Sequence, residues 1–425
     1  MKMLVIKMKS RIISLTVAMV LALSTSAASV ETDRTWYLAG EAMKVSITAD
    51  NTLIAYAELC DMQGLAAGLV VSLLEGKGSG VMELPATLHS GYYVLSVYTR
   101  DDAHVSQRLV AIINPLRKSA DDDIEWINIT NPDSMSFVES GRGERAELID
   151  KKDVDVRETE GHIIKARVKN VYGGNTFEGS QICPSLSIVG KQIHYFEGKM
   201  INDTMAVFYT YGVHGRQPLV LSAMTPSGVS LPIEMISPFA TLLPKKLPHL
   251  VFHYQRGEVE ARSLDMQRHQ KAIARTGGTT EDGEYQAAVL PLEYDEAVYG
   301  TKPDLTYNLD EYRQFLTIRE VLIEYVSFVK KRKVNGLQKL SVNIDQDNYN
   351  NAISSLVLID GMPVSDIERL LNYDARRIHY INIYGGQYTF GHSIYNGILS
   401  FVTRSGRLTN YPTEPNTQYL VYDFP

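Results

Sequence analysis

The sequence predicts a mainly β protein with an α+β C-terminal domain: two β-sandwich domains followed by a unit in which strands and short helices alternate. Three observations carry this. Short runs of alternating apolar and polar residues recur at intervals of about ten positions, separated by Asp, Asn and Gly, as they do in sandwiches. Near the C-terminus the order changes to a buried strand, an Asp-Gly turn, a short helix and a strand. The composition, 44% hydrophobic and 21% charged, is that of an ordinary globular protein.

The chain opens with a targeting segment, residues 1–28. Lys2, Lys7, Lys9 and Arg11 form a basic stretch, 12–23 is apolar, and small residues follow up to Ala28. This is the pattern of a secretory signal peptide. The apolar run falls short of the roughly 18 residues a membrane span needs, and no Cys follows it at a lipoprotein position. Export is therefore expected, to the periplasm or the outer membrane, with no transmembrane segment in the mature chain. Removing four basic and no acidic residues takes the net charge from -7 to -11, which argues against nucleic acid and anionic membrane surfaces as main partners.

Residues 29–116 form the first predicted sandwich. Alternating strands are expected at 43–48, 53–59, 69–74, 91–98 and 108–113, with a glycine turn at 76–80. Two stretches stand out: Asp33-Arg34 with Tyr37 and Gly40-Glu41, and Leu84-Pro85 with Gly91-Tyr92-Tyr93. They resemble the D-R-x-x-Y-x-x-G-E and L-P-x-x-L-x-x-G-x-Y patterns of macroglobulin-type β-sandwich domains. The resemblance implies an Ig-like sandwich in which glycines allow turns and tyrosines cover the sheet. The thioester of macroglobulin protease traps needs Cys followed closely by Glu-Gln; Cys60 and Cys183 are not so followed, so the domain is expected as a structural module.

Residues 117–155 read as a polar linker with one strand near Trp126. Asp121-Asp122-Asp123 is expected as a solvated turn, because a calcium loop needs alternating oxygens around a glycine. A second sandwich spans 156–236, with strands at 162–168, 185–189, 193–197, 204–209 and 218–223. An extended connector covers 237–307, with Pro238, Pro244 and Pro248, a charged helical segment at 258–274 and a glycine-rich loop at 277–283. Cys60 and Cys183 are expected as free thiols, with a bridge between the two domains as the alternative.

The C-terminal unit is expected at 308–409, with a tail at 410–425. In 310–333, Ile318, Val321, Leu322, Tyr325, Val326 and Val329 share one helical face. Thr317 and Glu320 form a capping box, and Lys330-Lys331-Arg332-Lys333 closes the helix with cations. Next come a strand at 356–359, Asp360-Gly361 and Pro363, a helix carrying Ile367, Leu370 and Leu371, a strand at 377–384 broken by Gly385-Gly386, and a strand at 398–404 preceded by Asn396-Gly397 and closed by Gly406. This order resembles the plug domain of TonB-dependent outer-membrane receptors, with Gly397 and Ile398 adjacent where the family has one residue between them. A receptor plug is followed by a long barrel, and this chain ends at Pro425. Signal, macroglobulin-like sandwich, second sandwich and barrel-less plug together resemble a set of exported proteins of Bacteroidetes-type bacteria.

The sequence contains no H-E-x-x-H, G-x-S-x-G, P-loop or G-x-G-x-x-G motif. His249 and His253 have a metal-compatible spacing only on a helix, and Pro248 favours a strand. Asp360 is the tempting acid, with His379 and His392 flanking the glycine pair; in a plug that Asp serves the turn by bonding local backbone, and replacement by Asn is expected to cost little. No catalytic residue, metal or cofactor is expected. Asp360, Gly361, Pro363, Gly385, Gly386, Asn396, Gly397 and Gly406 are plug-motif structural residues. The function expected is a non-catalytic interaction or assembly protein of the cell envelope that binds an envelope protein, such as an outer-membrane barrel. The alternative is an envelope hydrolase or glycan-binding protein with a site at a domain boundary.

Overall fold

The computed structural model describes residues 28–50, 52–131, 134–141, 144–189, 193–225, 228–275, 300–334, 336–344, 355–390, 393–406, 408, 411–412 and 414–425. Residues 1–27 of the expected signal peptide, the loop expected at 277–283 and His392 lie outside the described residues. The protein is mainly β, in two compact units: 1–159 with 239–267, and 160–238 with 268–425.

The first unit stacks two sheets. One has five strands in the order Trp36–Leu38, Ser106–Ile113, Gly91–Tyr98, Ile54–Cys60, Leu65–Ser72; the other has three, Ser29–Thr32, Ala42–Thr48, Lys77–Glu83. Ala42–Thr48 alternates strictly, burying Met43, Val45 and Ile47, as a strand with one solvated face must. Gly91–Tyr98 is buried throughout, because both its faces are covered. Leu59, Tyr93 and Leu95 pack with Met43 and Val45 on one side, and Tyr92 joins Leu250 and Phe252 on the other.

That second covering comes from segments expected as linker and connector. Leu250–Tyr254 pairs in parallel with Ile124–Asn128 and antiparallel with Phe137–Ser140, so 117–155 carries two strands, and the charged segment forms the helix Arg256–Arg275. The glycines at 76–80 open a strand, Lys77–Glu83, as well as a turn. A Cβ on Gly78 would stand 2.4 Å from the Ser72 carbonyl oxygen, so glycine serves there for close strand approach. Glu58, fully buried, holds residues of the connector. It accepts from the Thr241 N–H at 2.9 Å, the Leu242 N–H at 2.5 Å and the Tyr98 hydroxyl at 3.0 Å, which satisfies a carboxylate that would otherwise be costly to bury.

The second unit holds two four-stranded sheets. One orders Lys199–Asn202, Met205–Thr210, His162–Val168, Ile233–Met235; the other orders His194–Glu197, Cys183–Ile188, Gly215–Met224, Gln418–Phe424. The last strand lies in the expected tail. Its alternate residues Tyr422 and Phe424 are buried with Ile164, Phe208 and Leu221.

The α+β part of this unit has a five-stranded sheet, Leu305–Asn308, Ile378–Phe390, Ser393–Thr403, Leu356–Ile359, Met362–Pro363. The helix expected within 310–333, from the Thr317 cap to the basic run, is corrected at its end: it covers only Ile318–Glu324, and the basic run lies on a strand, Val329–Val334, hairpinned with Leu337–Val342. Phe328, at φ +63°, lies between the helix and the first of these strands. Gly385-Gly386 likewise does not end its strand; it makes a register shift between Tyr384 and Gln387 within Ile378–Phe390. Val189 and Val220 of the sandwich share one apolar core with Ile359, Met362 and Phe401.

Candidate functional site

The Asp360-Gly361 turn joins Leu356–Ile359 to Met362–Pro363. Both residues have positive φ, +46° and +83°, the left-handed pair that a tight hairpin needs. Asp360 is fully buried and accepts hydrogen bonds from the Thr403 N–H at 2.7 Å, the Thr403 hydroxyl at 2.5 Å and the Leu408 N–H at 3.1 Å. Beyond the local backbone partners expected of the turn, these bonds tie it to residues 43 and 48 positions away. Gly361 allows close packing: a Cβ there would meet Ile193 at 3.0 Å.

The other motif residues also serve the backbone. The Gly406 N–H donates to the Thr403 hydroxyl at 3.0 Å. Gly397, at φ +78°, has Val342 2.7 Å and the Tyr384 carbonyl oxygen 2.8 Å from where a Cβ would stand. The Asn396 carbonyl accepts from Ser355, the Gly385 N–H donates to Asp304 at 2.6 Å, Gly386 has φ +81° with open space around it, and Pro363 is buried in its strand.

His379 pairs with Asp310, Nε2 to Oδ2 at 3.2 Å, and Asp310 also holds Arg404 at 2.5 Å. Burial lowers the His379 pKa against the opposing pull of Asp310. His249 precedes its strand and pairs with Asp123, while His253 lies on it and pairs with Glu139 at 3.0 Å. Among the described residues no three His, Cys, Asp or Glu are grouped to hold a metal. Neither Cys60 nor Cys183 is in a disulfide, and burial pushes the Cys60 thiol up to about 12. The D-R-x-x-Y-x-x-G-E residues form one corner. The Tyr37 hydroxyl donates to Asp33 at 2.6 Å, and Glu41 receives the Leu38 N–H at 3.0 Å and Arg262 at 2.6 and 2.7 Å.

A cleft of about 600 Å³ lies in the second unit, lined from its sandwich strands and from its α+β part. Ile182, Met200 and Met224 line one side; Leu356, Val364 and Ile394 line the other. Gly179, Gly198 and Gly228 also line it, and the N–H of each already donates within the chain, to Asp203, Pro184 and Thr225. Among the described residues, its charged side chains are Lys339 and Glu197. Lys339 stands on Leu337–Val342, where burial lowers its pKa. Among the described residues its amine has no hydrogen-bond or ion-pair partner, and it lies over Gly228, where a Cβ would be 1.8 Å from Nζ. Among the described residues, neither Asp360 nor a histidine lines the cleft. Sequence reasoning passed over Lys339 and Gly228, whose only local signal is one cation in an alternating strand and one glycine in a loop.

No protein-family model matches the chain, and no curated protein matches it. Among solved structures, the BSP domain of a biofilm-associated protein is 10% identical, with a TM-score of 0.18, and the match covers 54% of this chain and 30% of that one. The α2-macroglobulin of E. coli in its native conformation is 12% identical at a TM-score of 0.19, over 52% and 15% of the two chains. The α2-macroglobulin of Salmonella reacted with methylamine is 10% identical at a TM-score of 0.19, over 53% and 14%. The chain thus spans less than a third of the length of each of these proteins.

Proposed function

We propose that the protein is a non-catalytic interaction or assembly protein of the cell envelope, docking on an outer-membrane β-barrel partner through its plug-like α+β part. The observation that supports this reading best is a set of large apolar side chains left in solvent there. Leu316, at the start of the Ile318–Glu324 helix, is 63% exposed, and Ile323, in its last turn, is 75% exposed. Phe328, which follows, is exposed as well. Apolar side chains gathered on one element are costly in water and suit burial against a partner. The barrel itself is suggested by the resemblance to receptor plugs, a fold-level analogy.

The test is affinity purification of the tagged protein from its own organism's envelope in mild detergent, with mass spectrometry of what is recovered. One outer-membrane barrel protein should be recovered reproducibly. A Leu316→Glu/Ile323→Glu variant with unchanged circular dichroism should lose it. Recovery of no barrel, or undiminished recovery by the variant, overturns the reading.

A further inference from the structure

We propose that the outer edge of Val329–Val334 receives an acidic, extended segment of a partner protein as an added strand. The inference concerns this edge alone and does not depend on the apolar side chains of the Ile318–Glu324 helix. Val329–Val334 belongs to a two-stranded ribbon, paired antiparallel with Leu337–Val342, and no other described strand pairs with it. Two hydrogen bonds fix which of its backbone groups are left over. The Asn343 N–H donates to the Phe328 carbonyl at 2.8 Å, while the Val342 N–H donates away from the ribbon, to the Ser355 hydroxyl at 2.7 Å. Bonded and non-bonded pairs alternate along an antiparallel ladder. Lys330, Arg332 and Val334 are thus bonded across the ribbon, and Val329, Lys331 and Lys333 turn their N–H and C=O groups outward. Among the described residues no other backbone group bonds to these. Outward groups on every second residue are what an added strand reads.

Charge selects the occupant. Lys330, Lys331, Arg332 and Lys333 are consecutive in a chain whose net charge is -7. Glu368 holds Lys331 at 2.7 Å and Arg319 at 2.5 Å. Lys330 and Lys333 are exposed, and among the described residues their amines have no hydrogen-bond or ion-pair partner. Arg332 stands directly opposite Lys339, and like charges opposed across a ladder are destabilising. A second copy of this chain docking by the same edge would set cations against cations, so the edge rejects itself. An anionic membrane surface would meet one face of the ribbon only. The period of two puts Lys330 and Arg332 on one face and Lys331 and Lys333 on the other. A strand added in the plane of the ribbon carries side chains to both faces. Acidic residues in it would supply anions to Lys330 and Lys333 while its main chain meets the outward amides and carbonyls.

The probe is a fluorescein-labelled peptide, Thr-Val-Glu-Glu-Glu-Glu-Val-Thr, titrated with the full chain by fluorescence anisotropy. Its counterpart with Gln at every Glu should bind about tenfold more weakly, the scale of a few exposed ion pairs. A version N-methylated on two adjacent central amides keeps every charge but cannot donate to the edge from either of its own sides, and it should lose binding. Lys330→Glu/Lys333→Glu should weaken the acidic peptide by about tenfold or more and remove its advantage over the Gln peptide. Raising the salt from about 50 to about 300 mM should weaken binding of the acidic peptide, because the pairs are exposed. A thermal melt of the double variant separates loss of binding from loss of fold. No binding of the acidic peptide, equal binding of the Glu and Gln peptides, an unchanged preference in the folded double variant, or equal binding of the N-methylated peptide overturns the proposal. So does binding of phosphatidylglycerol vesicles with no binding of the peptide, which would assign the edge to a membrane.

Discussion

At Asp360 two demands meet in one residue. The turn asks for a left-handed backbone, which Asp and Asn both tolerate, and the buried carboxylate takes two N–H groups and a hydroxyl from Thr403 and Leu408. Asn keeps the backbone but offers a single acceptor oxygen, and its NH2 group must face a donor. Asp360→Asn should therefore destabilise the second unit by about 1–3 kcal/mol, the usual cost of leaving buried donors unsatisfied. Chemical denaturation followed by circular dichroism measures it, and a loss below about 0.5 kcal/mol, within the scatter of neutral substitutions, would show that the network relaxes around Asn. The Asp-Gly turn was legible because it depends on two adjacent residues. The partners were not, because nothing local ties Asp360 to Thr403.

The same division runs through the elements. In Ala42–Thr48 the alternation of Met43, Val45 and Ile47 belongs to one strand and can be read directly. In 310–333, six apolar residues at helical spacing describe a helix, yet only the first half is one. Its start was legible. Thr317 accepts from the Glu320 N–H, and the Glu320 carboxylate accepts from the Thr317 N–H at 3.1 Å and the Leu316 N–H at 3.0 Å. Its end was not, because Val329 continues the period of 3.6 that Leu322, Tyr325 and Val326 set, so the apolar spacing alone runs the helix on into the basic run. Pairing with Leu337–Val342 makes that run a strand instead. Thr317→Ala should cost about 1 kcal/mol, as loss of a helix N-cap does. In a thermal melt this appears as a small drop in midpoint, and Thr317→Ser should restore it because Ser keeps the accepting oxygen. An equal drop with Ser would place the effect in the Thr methyl group instead.

For the whole molecule, what stayed hidden in the sequence is whatever joins distant segments. The cleft gathers Gly179 and Tyr395 from opposite ends of the second unit, and no window of sequence contains both. The C-terminal strand is the plainest case. Gln418–Phe424 completes the sheet of Gly215–Met224, Tyr422 and Phe424 fill the sandwich core, and the Tyr422 hydroxyl meets His162 Nε2 at 2.7 Å. A chain ending at residue 417 loses two buried aromatic side chains, each worth about 3–5 kcal/mol when removed from a core, against the 5–15 kcal/mol that holds a typical domain folded. Hydrogen exchange should then show amide protection lost across Cys183–Ile188 and Gly215–Met224. Protection across Gly91–Tyr98 should persist, because the first unit is built wholly from 1–159 and 239–267. Deleting 308–425 should leave that first unit equally protected. Retained protection in Gly215–Met224 after the short truncation would mean that the sandwich closes without its last strand. Loss of protection in Gly91–Tyr98 would mean that the first unit does not fold by its own contacts.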